Sequence, residues 1–392
     1  MSVNFRFCGE LKQLKESENF KPFETKTFGT GWNIDTFVFQ GVNGFNKHMF
    51  QIKAGYWGVS GGGVDEGKMQ IYTTFQSKED GETKYTNTKV DFVDRKKEEI
   101  LDQVPEYKKF VLDLNNPGED RDSARRREYI YEGDFLHDVR NVLSKPAFAK
   151  AKFSVSGVID VQYSPKNGKF YKSYTVQRIR LAKEDDEPRM VISGEFIYAP
   201  ESWDEDVYED GRVSYNVWAM YYDRQFKNAE CNGHIAVPMA FVFSPEYITD
   251  DPAKQKKVAD TLKKRMSVVP DGAQYGTIRL EANVIDGAQM EQVTIDDLPD
   301  EIREDIELGI RDEAEELRRA GRQGMGERIR EFRIIKANDA QASNYEDADI
   351  ALPAANEVEQ KEGRTKAKTT TKSVDDAPFD AGSDIDDIFG DI

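Results

Sequence analysis

Residues 153–181 read FSVSGVIDVQYSPKNGKFYKSYTVQRIRL. Two runs dense in Val, Ile, Phe, Tyr and Thr, residues 153–163 and 170–181, flank Ser164, Pro165, Lys166, Asn167, Gly168 and Lys169. Proline presets φ and Asn-Gly tolerates left-handed backbone, so this junction is a turn and the whole stretch a hairpin of two long strands.

Working outward, residues 191–198, 213–222 and 233–243 carry the same strand signature. Short, evenly spaced strands punctuated by Gly, Pro and Asn predict a sandwich or a small closed barrel, and five of them fit an OB barrel. Upstream, residues 32–40 place apolar side chains on both phases, as in a strand covered on both faces. Residues 69–75 alternate, with Met69, Ile71, Thr73 and Phe75 on one side and Lys68, Gln70, Tyr72 and Thr74 on the other. Phe5, Phe7, Leu11 and Leu14 form a short amphipathic opening.

Downstream, residues 252–266 read as a basic helix and 275–285 as a strand. Residues 298–330 read as charged helical segments interrupted by Gly309, Gly321, Gly324 and Gly326. The expected fold class is mainly β with α (α+β): OB-like barrel or barrels, a charged helical segment and a disordered C-terminal tail. The expected organisation is an N-terminal β-rich module (1–145), an OB-like module (151–245), a region completing the core (246–336), a flexible linker (337–374) and an interaction tip (375–392).

Of the net charge of −18 over 392 residues, half lies after residue 336, where 14 acidic residues meet 5 basic ones. The strongly acidic balance runs against a nucleic-acid binder, and the tail's share of it weakens that objection. Cys8 and Cys231 show no disulfide or zinc spacing, which fits a reducing compartment. With no apolar run of membrane length, a cytoplasmic protein without membrane contact is expected.

On strand 170–180, Phe170, Lys172, Tyr174, Val176, Arg178 and Arg180 share one phase. Single-stranded nucleic acid needs that mixture, aromatic rings for bases and cations for phosphates. Tyr163, Lys166 and Lys169 extend the surface. The competing view is that Tyr and Phe are good strand formers with core roles. Phe45, Lys47, Lys53, Tyr56, Trp57, Lys68 and Tyr72 form a weaker version, and Arg125, Arg126 and Arg127 with Tyr129 and Tyr131 another.

The tip combines Asp375, Asp376, Asp380, Asp386 and Asp387 with Phe379, Ile385, Ile388, Phe389 and Ile392, and contains no cation. Such a segment suits a basic-rimmed apolar pocket on a partner, whereas a purely solubilising tail needs no large apolar residues. Residues 375–380, DDAPFD, resemble the acidic Pro-Phe tip of bacterial single-stranded DNA-binding proteins. The layout of body, linker and acidic tail is similar to bacteriophage replication proteins of that class. The bacterial tip ends at its Phe, whereas here Phe379 is internal and the chain runs on to Ile392. The resemblance implies a protein of DNA replication, recombination and repair that coats single-stranded DNA and recruits partner enzymes through its tip.

Gly61, Gly62 and Gly63 lack the Gly-Lys-Ser/Thr of a phosphate loop, and His48, His137 and His234 have no metal or nucleophile-activating spacing. No enzyme, cofactor or metal is therefore expected. The alternative is a protein–protein adaptor or virion structural protein with an acidic docking tail and no affinity for DNA.

Overall fold

The computed structural model describes residues 3–59, 62–79, 82–119, 124–227, 229–290, 295, 298–313, 316–317 and 325–353. The chain is mainly β. Its first strands are β1 (Asn4–Gln13), β2 (Phe23–Thr27), β3 (Trp32–Asn43) and β4 (Asn46–Trp57), then the hairpin β5 (Gln70–Glu79) and β6 (Glu82–Asp91). Helix α1 (Glu98–Gln103), strands β7 (Phe110–Asp113) and β8 (Arg126–Tyr129), and helix α2 (Glu132–Leu143) follow. The hairpin expected first is β9 (Lys152–Ser164) and β10 (Lys169–Leu181).

Five of these strands close on themselves. β1 pairs with β3, β3 with β4, β4 in parallel with β10, β10 with β9, and β9 again with β1. A five-stranded Greek-key closure of this kind is an OB barrel. Helix α2 lies between its third and fourth strands in sequence and turns Phe135, Leu136, Val139 and Val142 inward. Phe5, Phe7, Phe39, Phe50 and Tyr174 fill the core, with Phe5 and Phe50 stacked at 5.3 Å.

The pattern then repeats. Strands β11 (Met190–Tyr198), β12 (Trp203–Asp204), β13 (Val213–Tyr222) and β14 (His234–Phe243) lead to helix α3 (Pro252–Ser267), strand β15 (Gly276–Met290), helix α4 (Asp300–Glu307) and strand β16 (Met325–Ala337). β11 pairs with β13, β13 with β14, β14 in parallel with β16, β16 with β15, and β15 with β11. Helix α3 again falls between the third and fourth strands. Pro252 occupies its first turn and the Asp251 carboxylate accepts a bond from Ala253 N at 3.0 Å, a cap that the Asp-Pro step makes natural.

One strand joins the two closures. β1 pairs along β9 on one side, while on the other its first half pairs with β11 and its second with β3. The boundary expected at 145–151 lies between α2 and β9, both of the first closure. The strands expected within 151–245 divide between the two.

Two further expectations change. Residues 325–330, read as helix, belong to β16, because pairing with β15 and burial of Phe332 and Ile334 override the helix propensity of its charged residues. Residues 341–350, read as flexible linker, hold strand β17 (Gln341–Ala342) on β15 and a helical turn, Asp347–Ile350. Tyr345 and Ile350 pack near Trp218 and Met220, and Tyr275 Oη donates to Asp347 at 2.8 Å. Ser343 Oγ donates to Tyr275 O at 2.8 Å and Gln274 Nε2 to Asp347 at 2.6 Å, adding to the strand pairing and the two apolar side chains that hold this stretch. Residues 375–392, the expected tip, lie outside the described residues.

Candidate nucleic-acid interface

The face expected on β10 divides in two. Tyr174 and Val176 turn into the barrel core, and Lys172 is buried with Nζ donating to Pro238 O at 3.1 Å. The register against β9 then slips, Val176 opposing Gly157 and Arg178 opposing Ser156, so Gln177 is an extra residue in a bulge. Beyond it Ile179 is the buried residue, while Arg180 is exposed and Arg178 half-buried. Arg178 and Arg180 therefore share a face with Tyr171, Ser173 and Thr175, not with Lys172 and Tyr174. The bulge depends on Gly157, where a Cβ would collide with Thr175's carbonyl oxygen.

Tyr163 is buried, its ring 4.8 Å from Phe170 and 5.8 Å from Phe226, and Gln225 Nε2 donates to Tyr163 O at 2.7 Å. Tyr163 and Phe170 thus dock the end of this hairpin on the second barrel. Lys166 and Lys169 are exposed in the turn, where Gly168 adopts φ 71°. The Arg125–Arg127 run is paired with acids: Arg125 with Glu119, Arg127 with Asp138, and buried Arg126 with Glu106, Asp113 and Glu128.

A different surface gathers exposed rings and cations. The β5–β6 hairpin is a two-stranded sheet apart from the barrels, inserted between β4 and α2. Ile71 and Val90 face each other at its base and are buried, with Phe75 on the same side. Arg95 lies 3.6 Å over the Phe92 ring and pairs with Asp134 at 2.7 Å, pinning the base against α2. On the opposite side Tyr72 opposes Lys89 and Gln76 opposes Tyr85.

Tyr72 is 72% exposed and Tyr85 57%. The Lys89 ammonium sits 5.2 Å from the Tyr72 ring centre. Tyr107, on the 3₁₀ turn Glu106–Lys108 that follows α1, is 59% exposed and meets Tyr85 edge-on at 6.3 Å. Lys108 reaches within 5.9 Å of the Tyr107 ring, and Lys78 is exposed on the face of Tyr72 and Tyr85. The preceding residue, Glu106, bonds Arg178 on β10, so the 3₁₀ turn bridges the hairpin to the barrel wall. Exposed tyrosines beside cations can stack planar rings and neutralise anions between them.

Sequence reasoning singled out Tyr72 but not Tyr85, Lys89, Tyr107 or Lys108. The missing signal is strand β6, ETKYTNTKVD, where Val90 is the only aliphatic residue. A strand with so little to bury presents nearly every side chain to solvent. Among the described residues no group of His, Cys, Asp and Glu could hold a metal ion, and no helix is long and apolar enough to cross a membrane.

No family model matches the chain, and no curated protein matches it. Among solved structures, the wild-type single-stranded DNA-binding protein from Thermus aquaticus is 6% identical with a TM-score of 0.31, over 88% of this chain and 96% of that one. A deletion mutant of the same protein gives 6% identity and a TM-score of 0.32, over 88% and 97%. At these values the likeness carries no weight beside the strand pairings themselves.

Proposed function

We propose that this chain is a single-stranded DNA-binding protein acting stoichiometrically in replication or recombination, of the phage type that its layout of body, linker and acidic tail resembles. The observation that carries the reading is the set of exposed rings Tyr72, Tyr85 and Tyr107: Tyr85 and Tyr107 meet edge-on, Tyr72 lies four residues further along the same hairpin face, and Lys89 and Lys108 sit against two of the rings. Bases stack on the tyrosines for about 1–3 kcal/mol each and phosphates follow the lysines, so binding tolerates any sequence and weakens with salt. From Tyr107 the strand continues toward Arg178 and Arg180, with Lys166 and Lys169 as outlying cations. The tip, through Phe379, Phe389 and the surrounding aspartates, recruits partner proteins.

The test is fluorescence anisotropy of labelled oligo-dT beside its duplex, at low and raised salt. Tight, salt-sensitive binding to the single strand, lost when the three tyrosines become alanine, supports the proposal. Absence of binding to either, with or without residues 375–392, leaves the adaptor reading.

A further inference from the structure

We propose that Glu106 is a built-in competitor for the phosphate of a bound strand: its carboxylate occupies the position on Arg178 that a backbone phosphate takes, and the strand must displace it. The inference rests on the reading of the three exposed tyrosines as the strand's path. Arg178 emerges from the β10 bulge, and its Nη1 lies 3.0 Å from Glu106 Oε1. Its Nη2 donates to the main-chain oxygen of the same residue. The guanidinium is thus held in place by backbone, whatever the carboxylate does.

The same carboxylate oxygen accepts from Arg126 Nη2 at 3.0 Å. Arg126 does not depend on it, having Glu128 at 2.8 Å and Asp113 at 3.2 Å, with Lys109 completing the cluster on Glu128 at 2.7 Å. Three cations, Lys109, Arg126 and Arg178, are balanced by three carboxylates, and Glu106 is the exposed one: its side chain is 48% accessible, against 18% for Asp113 and 22% for Glu128. An ion pair open to water is weak and readily exchanged. A phosphate oxygen can take the carboxylate's place on Nη1 while Nη2 stays on the main-chain oxygen, giving Arg178 an anionic partner at least as strong. Tyr107 follows Glu106 in sequence and is one of those rings, so a base stacked there brings its phosphate to this pair. While the carboxylate is in place the charge on Arg178 is cancelled and contributes little to affinity.

The test uses the full chain with Glu106→Gln, Arg178→Gln and the double variant, each titrated with oligo-dT over a salt series, with thermal midpoints measured alongside. Glu106→Gln is expected to bind about 3- to 10-fold more tightly, its log–log salt slope steepening by about 0.7 as one further phosphate is neutralised. Arg178→Gln combined with Glu106→Gln should erase that gain and return the salt slope to the wild-type value. Should Glu106→Gln lower the midpoint by more than about 5 °C, Glu106→Asp, whose shorter side chain withdraws from Arg178, is read instead and must shift affinity in the same direction. Unchanged or weaker binding by the folded variant, or a gain that survives loss of Arg178, overturns the role of Glu106. A wild-type chain with no affinity for oligo-dT, or with affinity indifferent to the three tyrosines, overturns the reading of those rings as the strand's path instead.

Discussion

The hairpins β5–β6 and β9–β10 are both long, both carry Tyr and Lys, and are opposite in how they use those residues. β9–β10 is barrel wall, and its Tyr174 contacts Phe5 and Phe50 while Tyr163 packs under Phe226. Among the described residues β5–β6 pairs with no other strand, and it keeps Tyr72 and Tyr85 in solvent. Alternation reveals which side chains share a face; it is silent on whether that face meets water or a core. What separates the two is the count of apolar partners: β9 carries Phe153, Val155 and Ile159 inward, whereas β6 carries only Val90.

The comparison is most sharply broken by truncating a tyrosine in each hairpin. Tyr174→Ala empties a core position and should cost about 3–5 kcal/mol of stability, seen as a large fall in the unfolding midpoint. Converting Tyr72, Tyr85 and Tyr107 together to alanine should leave the midpoint within about 2 °C and weaken oligo-dT binding on the order of 100-fold, at about 1 kcal/mol per lost stack. Equal losses of stability from both would show that the β5–β6 rings are packing residues after all.

Lysines draw the same contrast at smaller scale. Burial pushes the Lys172 ammonium down to about 8 from its ordinary 10.5. The unfolded chain then holds this proton more tightly than the folded one, so stability rises with pH between about 8 and 10.5, and at pH 7 the buried charge opposes folding. Lys172→Met is expected to raise the midpoint at pH 7 by a few degrees and to flatten that alkaline rise, while DNA affinity changes less than twofold. Lys89→Met should do the reverse, lowering affinity a few-fold with the midpoint unmoved.

The smallest expected effect concerns His48, buried beside Phe7 with neither ring nitrogen bonded among the described residues. Burial lowers its pKa from 6.5 to about 3. Here the unfolded chain gains the proton first, so stability is lost as pH falls below about 6.5, by at most about 1.4 kcal/mol per pH unit. His48→Leu should flatten the stability profile between pH 6.5 and 5, measured by urea unfolding. An unaltered slope would mean the imidazole is solvated in the native state.

The strands were legible because their side chains alternate or run apolar: residues 213–222 match β13, and 252–266 match α3 to within a residue. The closures were not, since the parallel contacts of β4 with β10 and of β14 with β16 join segments more than 90 residues apart. A single inserted residue, Gln177, was enough to move Arg178 and Arg180 off the face on which strict alternation places them. Arg126 looked like surface charge because its three carboxylate partners come from Glu106, Asp113 and Glu128, only one of them nearby in sequence. Pairing across distance, not local propensity, decides each of these.

The strand shared between the barrels also orders events at the ribosome. Asn4 pairs with Val158 and Ser193, both made long after it. At roughly 5–20 residues per second, β1 waits on the order of 10–40 s for its last partner. Until then its apolar face, Phe5, Phe7 and Leu11, is open to whatever chaperone or neighbouring nascent chain arrives first. An amino-terminal fusion that slows or blocks this strand should therefore lower the yield of folded protein far more than the same fusion placed after residue 353.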